Sequence, residues 1–412
     1  MSPINHSSVI GRAEHELLIC CARTILDASA AERIRSLAGQ QLDWDDLFRL
    51  ASRHKLSPLL CWHLKTIAAE FLTPPIQERL RNSLSAISRR NLQLSAELLN
   101  LLQLFQQQNI RAIPYKGPVL AETVYGNLAL REFVDLDVLV RKCDVLAARD
   151  LLIARGYRPF VQLAASQESA FLDYQCEHVL SDDGRDVMVE IQWRVVPDYF
   201  SFRFEYESLW QRTVPAAFCQ RSIATLSPED TLLILCVHGS KHLWSRLIWI
   251  CDVAETVRQF RHQLNWQLIE QRAALSGSRR MLHLGLFLAQ DLLAAELPEE
   301  IRQRVFADEA TKALAEDVYS RLWPESEEGE EDDGQEEAAG FFESSLFHLK
   351  AKERWRDRLR FCIRVLTTTT IEDWSPNDDF RSVPLAVQIR RSVRLVRKYL
   401  PQLFRLLFSR AA

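Results

Sequence analysis

Two aspartates separated by one residue, Asp135-Leu136-Asp137, sit inside the apolar, β-branched string FVDLDVLV. On a strand, residues two apart share a face. Phe133–Val140 read as a strand therefore projects two carboxylates side by side, with Val134, Leu136 and Val138 facing away. Like charges held that close repel, and burying them calls for a cation. Hard oxygen donors of this kind suit Mg2+ or Mn2+. A third carboxylate comes from VMVEIQW. There Val187, Val189, Ile191 and Trp193 share one face and Glu190 stands on the other, beside Met188 and Gln192. If the two strands are neighbours, Asp135, Asp137 and Glu190 form the frame of a two-metal phosphoryl-transfer site.

Positive and permissive residues lie just upstream. Lys116-Gly117 falls between a short apolar strand, 110–115, and a helix start at Pro118. Glycine lets a phosphate approach the backbone, and a helix start offers unpaired N–H groups. Lys116 adds charge, and Arg131 can hold a phosphate oxygen in a forked contact. Each residue also has a plainer reading: Lys116 as a surface lysine, Arg131 as a structural ion-pair partner, Glu190 as a solvent-facing strand residue. His238 and His242 lie four apart on a predicted helix, without the H-E-x-x-H pattern of zinc enzymes. With Lys241 they read as a polar core or a phosphate-facing patch rather than a zinc site.

The elements needed to position these residues are legible in outline. Residues 13–108 show three- and four-residue apolar spacing, broken at Gly39, Ser57-Pro58 and Pro74-Pro75. Residues 109–195 alternate short strands with helices, and Asp182-Asp183-Gly184 marks a hairpin. From Ser227 the chain is helical again, with Ser as cap, Pro at the first position and acids in the first turn. The expectation is an α+β fold, mostly helical, with a small mixed sheet between two helical modules. Its domains are 1–108, 109–215 and 216–412.

The chain has 412 residues and a net charge of −4. The run 325–340 holds nine acidic residues and no basic one, so the remainder carries +5. That run reads as a solvated, disordered loop. The mildly basic body permits phosphate-bearing ligands without demanding them. Nine cysteines without a C-x-x-C pair fit a reducing, cytoplasmic setting and exclude a zinc knuckle. No apolar stretch reaches membrane-spanning length and no secretory signal is visible. A basic amphipathic segment, Leu385–Phe408, reads as a packing helix with a solvated face, and offers at most a weak contact with an anionic membrane or RNA.

The string Tyr115-Lys-Gly, Tyr125, Arg131-x-Phe133-x-Asp135-Leu-Asp137-Val-Leu-Val140, then Val189-Glu190-Ile-Gln-Trp193, resembles the uncharacterised nucleotidyltransferase family of the polymerase-β-like superfamily. Asp43-Trp-Asp-Asp-Leu47 with His54, and Leu226-Ser-Pro-Glu-Asp230 with His238-Gly-Ser-Lys-His242, Arg246, Trp249 and Asp252, extend the likeness over about residues 14–290. The resemblance implies a nucleotidyltransferase fold, Mg2+ or Mn2+, and an NTP such as ATP as donor. The acceptor is an unspecified hydroxyl on a small molecule, protein or RNA. It implies Asp135, Asp137 and Glu190 as metal-holding catalytic residues, and Lys116, Gly117 and Arg131 around the nucleotide. The wider superfamily has Gly-Ser where this chain has Lys116-Gly117, and the family often has His where this chain has Gln192. The rival readings are a non-catalytic nucleotide- or peptide-binding module on the same fold, and a membrane or RNA adaptor acting through the C-terminal segment.

Overall fold

The computed structural model describes residues 12–200, 202–323 and 336–367, with side chains from 344 onward in the last stretch and up to 365. It is an α+β structure, mostly helical, around a small mixed sheet. The first helices are α1 (Ala13–Cys21), α2 (Ala28–Ala38), α3 (Trp44–Arg53), α4 (Ser57–Ile67) and the long α5 (Pro74–Gln107). Prolines 74 and 75 open α5 where their missing N–H groups cost nothing.

The sheet-bearing part runs β1 (Ala112–Pro114), α6 (Gly117–Thr123), β2 (Asp135–Val140), α7 (Val145–Ala154), β3 (Arg158–Pro159), α8 (Ala165–Tyr174), β4 (Glu177–Asp182) and β5 (Val187–Gln192). Then come α9 (Tyr206–Gln211) and a separate hairpin, β6 (Val214–Phe218) with β7 (Arg221–Thr225). The five-stranded sheet has the order β1-β2-β5-β4-β3. β2 and β5 are parallel, with Asp137 opposite Glu190, whereas β4 and β5 form an antiparallel hairpin. The expected neighbouring of the two carboxylate strands is therefore realised. β2 starts two residues later than expected: Val134 lies outside it, 43% exposed at the mouth of a cleft, not in the apolar layer.

The remaining helices are α10 (Pro228–Lys241), α11 (Leu247–Gln259), α12 (Trp266–Ser276), α13 (Arg279–Leu293), α14 (Glu299–Ala307), α15 (Glu309–Leu322), α16 (Glu336–Ala351) and α17 (Trp355–Thr367). α16 corrects the sequence reading. Residues 336–340, counted within the acidic loop, begin this helix, and its far end buries Phe347 and Ala351. Most of the acidic run and the whole basic segment 385–408 lie outside the described residues.

Two apolar clusters hold these elements. One face of the sheet packs Leu136, Val138, Val189 and Ile191 against the C-terminal half of α5, including Leu94, Leu98 and Phe105. The second cluster is shared: Leu17, Leu47 and Leu60 of the N-terminal helices are buried with Leu233, Ile250 and Phe287 of the C-terminal ones. The two helical segments, far apart in sequence, thus bury their faces in each other. The other face of the sheet, bearing the carboxylates, is left to line a cleft. No helix of the described residues is long and apolar enough to cross a membrane.

Candidate active site

The cleft has a volume of about 460 Å3 and lies between the polar face of the sheet and the corner joining α10 to α11. That size suits a small-molecule ligand. Its floor is acidic. Asp135 and Asp137 come from β2 and Glu190 from β5, all lining the cleft. A fourth carboxylate, Glu177 of β4, joins them; it stands opposite Gln192 in register. The sequence reading missed Glu177. The signal was available: Cys176, His178 and Leu180 are buried on one face, so Glu177 faces the other.

The acids are held by a small polar network. The Lys116 ammonium lies 2.6 Å from Asp137 Oδ1, and both side chains are largely buried. Gln192 Nε2 donates to Asp137 Oδ1 at 2.8 Å and to Glu190 Oε2 at 2.7 Å. The Tyr115 hydroxyl donates to Gln192 Oε1, which fixes the direction of the amide. Burial and the neighbouring Asp137 push Asp135 above its ordinary carboxylate range. Burial, then Asp137 and Glu177, push Glu190 up as well. Burial disfavours the charge on Lys116, but Asp137, Glu190 and Asp135 outweigh it and hold the ammonium firmly protonated.

Gly117 has a backbone reason for being glycine. Its φ is +52°, and a Cβ there would meet the carbonyl oxygen of Asp135 at 3.2 Å. The turn after β1 therefore closes tightly on the start of β2, which carries Lys116 over the acids.

Arg131 departs from the expected phosphate contact. Its Nε and Nη2 donate to Asp252 Oδ1 and Oδ2 at 2.7 and 2.8 Å. The fork expected to face a phosphate is thus spent on a carboxylate of α11. The Tyr125 hydroxyl donates to the same Asp252 Oδ1 at 2.7 Å. Asp252 is 1% exposed and Arg131 8%, so this is a buried pair tying the loop before β2 to the helical wall.

That wall carries His238 and Lys241 from α10, His242 capping its C-terminal end, then Arg246 and Trp249 at the start of α11. The rings of His238 and His242 lie 4.6 Å apart, and His242 is 5.1 Å from Trp249. Burial, then the nearby lysines, lowers both imidazoles, His242 to about 3 and His238 well below its usual value, so both are neutral at pH 7. Among the described residues no three His, Cys, Asp or Glu side chains come together as a ready metal-ligand set.

The oxygen donors nevertheless match a hard divalent ion in type, and their crowding favours a cation. As arranged, Lys116 and Gln192 hold Asp137, so an ion there would take over a neutralising role that the ammonium now performs.

The sequence profile of the uncharacterised nucleotidyltransferase family matches residues 40–294, well over half of the chain. No curated protein and no solved structure matches it. The matched span takes in the cleft-lining residues named above, from Lys116 to Trp249.

Proposed function

Because the chain belongs to the uncharacterised nucleotidyltransferase family, we propose that it moves a nucleoside monophosphate from an NTP to a hydroxyl acceptor with the help of Mg2+ or Mn2+. The observation that carries this reading is the placing of Asp135, Asp137 and Glu190 on one sheet face, with Asp137 and Glu190 in register across parallel strands. Asp135, Asp137 and Glu190 are the residues to hold the ions. The chemistry supplied by bound ions is neutralisation of the triphosphate and a lowered pKa for the acceptor hydroxyl.

The chain's own groups do the rest. The acceptor oxygen attacks the α-phosphorus, the α–β bridging bond breaks, and pyrophosphate leaves with the bonding electrons. Glu190, as a carboxylate beside the ions, accepts the hydroxyl proton. Gln192 keeps Asp137 and Glu190 at a fixed separation. Gly117 shapes the turn that sets Lys116 over the acids, where its ammonium holds Asp137, and Arg131 ties the loop before β2 to α11 through Asp252. Most of the rate gain in such a site comes from positioning and charge neutralisation.

One observation favours a second reading. The Lys116–Asp137 ion pair compensates one of the floor acids without an ion, as a non-catalytic nucleotide-binding member would. Incubation with each α-labelled NTP, Mg2+ or Mn2+, and a panel of hydroxyl acceptors separates the two. Label transferred to an acceptor, with pyrophosphate released, supports the enzyme; NTP binding without any transfer supports the binding module.

A further inference from the structure

The cleft holds five cationic side chains, and three are already committed. Lys55 pairs with Glu132 at 2.8 Å, Lys116 with Asp137 at 2.6 Å, and Arg131 with Asp252 at 2.7 Å. Lys241 and Arg246 have no ion-pair partner among the described residues, yet both line the same cleft. They stand five positions apart, on either side of the α10–α11 corner.

That corner is built with unusual rigidity. Leu243 and Trp244, consecutive and neither of them glycine, adopt φ of +57° and +54°. Such conformations persist only where the surroundings enforce them. Here the Trp244 indole is fully buried over two glycines. A Cβ on Gly239 would come within 2.4 Å of its ring, and one on Gly285 within 3.0 Å. Its Nε1 donates to Ser240 Oγ at 3.3 Å. On the far side, Leu247 N donates to His54 Nδ1 at 3.1 Å, which anchors the start of α11 to the N-terminal helices. The strained turn thus delivers Lys241 and Arg246 to one cavity, and Arg246 is steadied over the Trp249 ring at 5.8 Å.

We infer that this corner is the polyphosphate-binding subsite of the cleft, with Lys241 and Arg246 holding the phosphates of the NTP that lie beyond the α-phosphorus. The inference rests on the nucleotidyl-transfer reading above and assigns the donor's charged end to residues other than Arg131. The chemistry is suited to it. A guanidinium offers a planar fork of N–H donors, an ammonium a compact charge, and together they match a chain of phosphates. The acidic floor repels uncompensated phosphate oxygens, which drives the anion toward the opposite wall. The neutral imidazoles of His238 and His242 leave room there without adding charge.

Calorimetric titration of the full chain with inorganic tripolyphosphate in Mg2+ buffer tests this, with orthophosphate as comparison. Wild type should bind tripolyphosphate at least about ten-fold more tightly than orthophosphate. Lys241→Met and Arg246→Gln should each weaken tripolyphosphate about ten-fold, as expected for loss of one charged contact. Lys241→Arg should keep most of the affinity, and Lys65→Gln, an exposed charge on α4, should change nothing. Lys241→Arg also guards against misfolding as the cause of any loss. Unchanged affinity in both Lys241→Met and Arg246→Gln, or no tripolyphosphate binding by wild type, would overturn the assignment. The transfer assay on the same preparations keeps the two ideas apart. Variants that bind and transfer as wild type sink the subsite alone; a bound polyphosphate without any NTP turnover sinks the transfer reading alone.

Discussion

Replacing Arg131 by Met tests whether this residue serves the ligand or the fold. In the structure its guanidinium makes two bonds of 2.7 and 2.8 Å to Asp252, which is 1% exposed and whose carboxylate, among the described residues, otherwise accepts only from Tyr125 at 2.7 Å. Arg131→Met leaves a buried carboxylate with one neutral donor. Breaking one side of such a pair costs about 3–5 kcal/mol, because the remaining charge is uncompensated. At roughly 2 °C per kcal/mol for a large domain, the melting midpoint should fall by about 6–10 °C. Asp252→Asn should cost a comparable amount for the opposite reason, a buried guanidinium without a counter-charge. The double variant Arg131→Met with Asp252→Asn should recover a large part of the loss, since it removes both charges and keeps an acceptor for Tyr125. Thermal melts of the four proteins, followed by tryptophan fluorescence, complete the cycle. Tripolyphosphate affinity, measured well below the melting transition, should change little in Arg131→Met. A midpoint shift under about 2 °C together with a ten-fold loss of that affinity would refute the reasoning and return Arg131 to the phosphates.

Three further outcomes are expected. Asp135→Asn and Asp137→Asn should each abolish label transfer, but with opposite effects on stability. Asp135→Asn relieves crowding and should raise the midpoint slightly, whereas Asp137→Asn removes the acceptor of Lys116 and Gln192 and should lower it. Equal midpoints for the two, or transfer retained by either, would contradict the charge arrangement described. Gly239→Ala should cost at least about 1–3 kcal/mol through overpacking against Trp244 and weaken tripolyphosphate binding with it; a melt like that of wild type would show that the corner yields. His54, buried and accepting from Leu247 N, has its pKa lowered to about 3, first by burial and then by Arg53. Its contribution is present above the unfolded value near 6.5 and is lost as pH falls toward 3. Between pH 7 and 5 this one group should cost about 2 kcal/mol. His54→Asn keeps an acceptor and cannot titrate, so it should flatten that part of the pH–stability curve; an unchanged slope would remove His54 from the account.

What could be read from the sequence was whatever depends on short-range period. The two-residue alternation in DLDVLV and VMVEIQW sets which side chains share a face, while the register that puts Asp137 opposite Glu190 is seen only in the structure. What could not be read depends on contacts distant in the chain or on turns without a compositional signal. Asp252, which claims Arg131, is separated from it by 121 residues. The β6–β7 hairpin turns at Cys219 and Gln220, with φ of +46° and +62°, where no Gly or Asn announces it. The α10–α11 corner likewise hides its two left-handed residues behind Leu243 and Trp244; only the buried ring over Gly239 explains them. α16 was obscured because its first turn falls in an acid-rich run, while the apolar residues that anchor it, Phe347 and Ala351, come later.

The exchange of Gly-Ser for Lys116-Gly117 has a consequence for where the triphosphate can lie. Gly117 is fixed by its φ and by the closeness of Asp135, so the turn cannot accept a serine there without opening away from β2. Lys116 then sits over the acids and gives its charge to Asp137. An ammonium at 2.6 Å from one carboxylate oxygen cannot also serve a phosphate on the other wall without abandoning that partner. Arg131 is bound by the same logic to Asp252. Both upstream cations thus act as internal counter-charges: Lys116 for the acidic floor, Arg131 for the seam between the sheet and α11. On the subsite proposed above, a polyanion entering the cleft meets its counter-charge at Lys241 and Arg246, on the corner between α10 and α11. The division leaves the floor free to change its cation while the wall keeps hold of the anion, and that is the arrangement a phosphoryl-transfer site requires, since attack and departure occur between them.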